Sequence, residues 1–216
     1  MISLDEKIQI PDLYKAFKLI RDKKFSEAES LLLKLETDYE KKGEEMIAGV
    51  MCSTLGLLYK AQKEYRKAWK IYDKAEKKIP DDPSLKIINA RLLIEYFAQY
   101  DTVIKKMGKA EKLAGEDFSF LHVIYTLTGV AYLKKGNTKK AVDYLKKSMG
   151  NSFAGLGTSA NFEFKLFEEM TKKKLEPKLC LSFLSEALSF AKKKREKNYA
   201  ALIQIMIDKY PIPSSK

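Results

Sequence analysis

At 216 residues the chain is long enough for one domain or two. Its net charge is +12, from 41 basic and 29 acidic side chains, with a single histidine and two cysteines. One histidine excludes His-based metal clusters and most nucleophile–base pairs, and no window approaches the roughly 18 uninterrupted apolar residues of a membrane span.

Ala16 and Ala28 stand 12 positions apart, with Leu19 and Leu32 following at helical spacing. Around Glu40–Glu45 the register gains six residues, about 9 Å of helix. Lys41 to Met46 holds one Gly and no Pro, so lengthened helices are expected there rather than a long loop. From Gly49 the pattern sharpens. Val50, Cys52, Leu55, Leu57, Leu58 and Tyr59 surround most of one helix, which reads as sandwiched. A second helix opens near Tyr65 and carries Ala68, Trp69, Tyr72 and Ala75. Gly56 inside a helix costs roughly 1 kcal/mol against Ala, which argues for a packing reason. Small residues at 56 and 68 let two helix backbones approach, with Leu55, Tyr59 and Tyr72 filling the space around them. Pro80 stops the second helix, and Asp82 before Pro83 suits a new N-cap.

Asn89–Ala90 lies 34 residues after Leu55–Gly56, but Ala90 to Val103 is 13 positions, so this copy holds one extra residue. Then the strong pattern returns as Tyr125, Thr128–Gly129, Tyr132, Ala141 and Leu145, and Gly129 to Ala141 is again 12. After Gly150 it fades. Gly155 to Thr158 reads as a turn, with Thr158 or Ser159 capping a helix through Phe162, Phe164, Leu166, Phe167 and Met170. Pro177 opens the next helix, and a last one carries Tyr199 to Ile207 and ends at Tyr210–Pro211.

The spacing Cys52-x2-Leu55-Gly56-x2-Tyr59, Ala68-x3-Tyr72, Ala75, Pro80 resembles the tetratricopeptide repeat, a 34-residue helix–turn–helix. In the second copy Gly129, Tyr132 and Ala141 match the family, while Thr128, Leu145 and Phe153 depart from it. The resemblance implies an all-α fold, a right-handed superhelix (α-solenoid) of antiparallel helix pairs. About four repeats over 9–155 and degenerate C-terminal helices with a cap over 156–216 are expected in one continuous domain, 1–216.

The resemblance also implies a concave groove lined by the first helix of each repeat. Rows at spacings of 3, 4 and 3 share a helix face: Ile10, Leu13, Phe17 and Ile20; Val50, Ser53, Leu57 and Lys60; Ser84, Ile87, Arg91 and Ile94; Val123, Thr126, Val130 and Leu133. From these, Phe17, Ser53, Leu57, Lys60, Arg91, Thr126, Val130 and Leu133, with Asn89 beside them, are the expected peptide-contacting residues. Members of the family that clamp a C-terminal carboxylate need polar groups where this chain has Phe17, Leu57 and Val130. An apolar row suits an amphipathic helix or an extended apolar segment instead, with Lys60 or Arg91 holding an acidic group.

Charge is uneven: residues 109–216 carry 20 basic and 11 acidic side chains, or +9. Only four basic residues are Arg, the side chain that phosphate and base readers favour, so nucleic acid is disfavoured as a partner. No nucleotide-binding loop is present, and Glu44–Glu45 and Glu168–Glu169 diverge on their helices. No cofactor, metal or catalytic residue is expected. Cys52 and Cys180 read as buried small hydrophobes, His122 as structural, and Met1–Glu6 as no secretory leader; together these favour the cytoplasm. The expected function is a non-enzymatic scaffold, adaptor or chaperone-like protein for a protein or peptide partner. An electrostatic binder acting through the basic half and a structural homodimer are the alternatives.

Overall fold

The computed structural model describes residues 11–210. Ile10, Pro211 and the opening Met1–Glu6 lie outside them. Packing divides the chain after Leu92 into two compact units, where a single continuous domain is the sequence expectation.

The first unit holds α1 (Pro11–Arg21), α2 (Phe25–Lys41), α3 (Glu45–Ala61), α4 (Tyr65–Lys78) and α5 (Pro83–Leu92). Each helix packs on the next. The six-residue gain lengthens α2 and α3 to 17 residues each and leaves a short turn between them. α3 is buried on most sides, from Ala48 to Tyr59, because helices flank it on both sides. Ala16, Ala28, Ala68 and Ala75 are all fully buried, so small side chains do mark the helix crossings. α4 ends at Lys78, before Pro80. Asp82 accepts the Ser84 N–H at 2.8 Å and caps α5.

One turn recurs through the molecule. Lys23, Gly43, Lys63, Gly136 and Arg195 all take a left-handed backbone, with φ of 58, 73, 63, 82 and 60°. Two residues later a new helix begins. In each case the intervening residue donates its N–H to a carbonyl five residues back: Lys24 to Leu19, Glu44 to Tyr39, Glu64 to Tyr59, Asn137 to Tyr132 and Glu196 to Ala191. This is the Schellman closure of a helix C-terminus. Glycine supplies the left-handed residue at two of the five sites; Lys and Arg occupy it at the others.

The second unit opens with a π-helical turn, Leu93–Phe97. A π turn holds one more residue than an α turn, which is how the chain absorbs the extra position between Ala90 and Val103. Then follow α6 (Tyr100–Ala114), α7 (Phe118–Lys134), α8 (Thr138–Lys147), the single turn α9 (Asn151–Ala154), α10 (Lys165–Lys172), α11 (Pro177–Lys193) and α12 (Lys197–Asp208). Leu145, Leu166, Phe183, Leu184 and Ile203 centre its core.

One expected helix is shorter than the sequence pattern proposes. Thr158 caps a 3-10 turn, Ser159–Asn161, and Phe162 is extended; α10 begins only at Lys165. Two forces break the helix. The Glu163 N–H, which a helix would use, donates to His122 Nε2 at 2.8 Å. Phe162 and Phe164 are drawn edge-on against Phe153 and Phe183, with ring centroids 5.1 and 5.8 Å apart. The phenylalanines that seem to point several ways on a helix converge here on one internal cluster.

Candidate functional site

A cleft of about 220 Å³ opens within the first unit. Leu13 and Phe17 of α1 form one wall. Val50, Ser53 and Thr54 of α3 form the floor, and Leu85 and Ile88 of α5, with Ile79 from the preceding connector, close the far side. Ser84 and Asp82 stand at its polar edge. The lining is overwhelmingly apolar, with Asp82 the one charged residue in it, engaged as the α5 cap. Such a surface takes apolar side chains and pairs few polar groups.

Gly49 helps shape it. A methyl group at Gly49 would lie 2.5 Å from Ile79 Cγ1, so the missing side chain is where Ile79 nests against α3. A larger residue there would displace Ile79, which lines the cleft.

The expected contact residues divide in two. Phe17 and Ser53 line the cleft, Phe17 at 40% exposure. Leu57, at 41% exposure, continues the Ser53 face one turn on, and Lys60 and Arg91 are half-buried. The other four are covered: Asn89, Thr126 and Val130 are 0% exposed and Leu133 4%. Asn89 donates its amide to Glu76 Oε1 at 2.6 Å, a helix-to-helix tie rather than an open peptide hook. Val130 and Leu133 belong to the core of the second unit. α7 is apolar around its whole circumference, so no row on it stood out as surface. These four offer no surface to a peptide and carry no part of the site proposed below. Thr54, Ile79, Asp82, Leu85 and Ile88 were missed. The signal for Ile79 is an apolar residue lodged between Lys78 and Pro80, and that for Leu85 and Ile88 is two apolar positions outside the chosen α5 row.

The tetratricopeptide-repeat family model matches residues 123–152, the α7–α8 pair. The chain carries a tetratricopeptide repeat. Its fold is that of tetratricopeptide-like solenoids. PilF of Pseudomonas aeruginosa is similar in structure at a TM-score of 0.59 and 13% identity, over 94% of this chain and 91% of that one. BtubC from P. vanneervenii has a TM-score of 0.57 at 16% identity, over 93% and 82%. MamA of Desulfovibrio magneticus RS-1, from residue 41 to its end, has 0.53 at 14%, over 97% of each chain. At these identities the likeness is one of fold. No curated protein matches the chain.

The places that the repeat pattern gives to its marker residues are packed, not reactive. Cys52, in the position of the repeat's Trp, donates its thiol to Glu36 Oε1 at 2.8 Å, and burial pushes its pKa up. Lys74 pairs with the same buried carboxylate, while Lys78 bridges Glu40 and Glu45 at 2.7 Å each. Tyr59 donates to Glu29 Oε1 at 2.6 Å; burial, then that bond, push its pKa up to about 12. These ties run between α2, α3 and α4 and hold the cleft floor in place.

In the second unit His122 is fully buried. Its Nε2 accepts the Glu163 N–H, so the ring proton sits on Nδ1 and is donated to the Ser148 carbonyl at 2.7 Å. Burial lowers its pKa to about 4, opposed in part by the Ser148 bond. The ring is neutral and acts as a joint between three segments. Cys180 is a free, buried thiol. Among the described residues no group of His, Cys, Asp and Glu is placed to hold a metal ion, and no helix is long and apolar enough to cross a membrane.

Proposed function

We propose that this protein is a non-enzymatic interaction scaffold that holds an apolar segment of a partner protein in the cleft of its first unit. The cleft carries the reading: it is concave, lined by apolar side chains from three helices, and edged by exposed Phe17, with Leu57 exposed on the same α3 face as Ser53. A volume near 220 Å³ suits one or two bulky apolar side chains rather than a whole helix. Such anchors projecting from an amphipathic helix or an extended strand of chain would fill it. Lys60 and Arg91 remain the proposed contacts for an acidic group flanking those anchors. Two free, buried cysteines fit a reducing compartment such as the cytoplasm.

The test is peptide display against the full chain, followed by affinity measurements on the selected peptides. Apolar-anchor peptides that lose binding to Ser53→Glu, at unchanged helicity, support the reading. Selection of peptides without apolar anchors, or none at all, would end it.

A further inference from the structure

The second unit carries a different kind of surface. Tyr125 and Tyr132 lie seven residues apart on α7, and Tyr144 faces them from α8. Tyr132 and Tyr144 stack, with centroids 5.6 Å apart and planes 17° from parallel. Tyr125 is 6.1 Å from Tyr144. Two lysines of α8 close over this row. The Lys140 ammonium lies 4.6 Å from the Tyr132 centroid, and that of Lys147 lies 5.1 Å from Tyr144 and 5.5 Å from Tyr125. Lys140, Tyr144 and Lys147, at spacings of 4 and 3, share one face of α8.

The α7–α8 pair carries a net positive charge. Residues 118–150 hold six Lys, no Arg and one acidic residue, Asp143. Lys134 and Lys135 are neutralised by Glu169 and Asp101. Among the described residues neither Lys140 nor Lys147 forms an ion pair, and Glu111 is the carboxylate that faces the tyrosines. Side chains held over aromatic rings are already ordered, so a partner loses less entropy in engaging them.

We propose that this tyrosine–lysine ladder docks an acidic helix of a partner protein, one carboxylate to each lysine. Lys140 and Lys147 are seven residues apart, about 10.5 Å along the axis, which is the separation of two carboxylates one heptad apart on another helix. Nucleic acid fits less well. Bases need open ring faces, whereas Tyr132 and Tyr144 stack on each other, all three rings lie beside ammonium groups, and no guanidinium is present for bidentate phosphate contact. The surface is independent of the apolar cleft.

Fluorescence anisotropy on the full chain tests this with three probes. The first is a labelled 21-residue helical peptide with two Glu seven apart; the second has the same composition with the Glu five apart; the third is a dT oligonucleotide. The first should bind at least about tenfold tighter than the second and weaken as salt rises. Lys140→Glu/Lys147→Glu should weaken it about tenfold or more, and the milder Lys140→Gln/Lys147→Gln in the same direction, while Lys139→Glu/Lys146→Glu, an identical charge change on the neighbouring stripe, should change it less than about threefold. Equal losses for the two Lys→Glu pairs, no preference for the heptad spacing, no peptide binding, or tighter binding of the oligonucleotide would each overturn the proposal.

Discussion

Gly56 faces the ring of Tyr72 so closely that a methyl group added at Gly56 would sit 2.5 Å from the ring. The contact joins α3 to α4, and it is why a helix that would gain stability from alanine holds glycine. Gly56→Ala is therefore expected to lower stability by about 1–3 kcal/mol, through overpacking. Gly108, inside α6, has nothing within 4 Å of its missing side chain. There Gly→Ala should raise stability by roughly 0.5–1 kcal/mol. Urea denaturation of the two variants gives opposite signs if the close approach at Gly56 is real.

Lys63 holds a left-handed backbone, φ 63°, in a turn that glycine occupies at two equivalent sites. A side chain in that conformation is strained by roughly 1 kcal/mol. Lys63→Gly removes the strain but loosens the unfolded chain by about 0.4–1 kcal/mol, so a small net gain of at most about 0.6 kcal/mol is expected. A rise in melting temperature checks it; a fall would mean that the lysine is held by contacts worth more than the strain.

His122 gives the fold an acid sensitivity. The folded chain keeps the ring neutral down to about pH 4, against 6.5 for an ordinary histidine. Below 6.5 the unfolded chain binds a proton that the folded chain refuses, so stability is complete above that pH and drains away as pH falls toward 4. Between pH 7 and pH 5 the loss is about 2 kcal/mol. His122→Gln should start less stable at pH 7 and lose less over the same interval. Chemical denaturation of both proteins at the two pH values measures the difference, and parallel losses would exclude His122 as the cause.

The sequence pattern was most legible where one residue type had one job. Gly56, Ala68 and Ala75 announced helix crossings because only small side chains fit them. Pro80 and Asp82–Pro83 announced a stop and a start for the same kind of reason. The groove was less legible. On α3 the Ser53–Leu57 face was picked from the repeat register, and Leu57 stands exposed within a buried run. On α7 apolar residues run all round, and Val130 and Leu133 are buried in one cluster with segments after Gly150, such as Leu166, whose packing the repeat pattern does not specify. Phe162 and Phe164 misled for a related reason: helical spacing cannot show that a distant histidine will take the backbone N–H between them. The left-handed lysines were invisible because glycine is the usual sign of that turn.

The central claim is that the first-unit cleft is a peptide site, and it stands or falls on one comparison. A peptide selected by display on the full chain is titrated into wild type and into Ser53→Glu, with Leu33→Glu, an exposed position on α2 away from the cleft, as control. Placing a carboxylate on the apolar floor should weaken binding by at least about tenfold, with helicity and melting temperature preserved and the Leu33→Glu affinity unchanged. Equal affinity for wild type and Ser53→Glu would show that the peptide binds elsewhere, and would contradict the account.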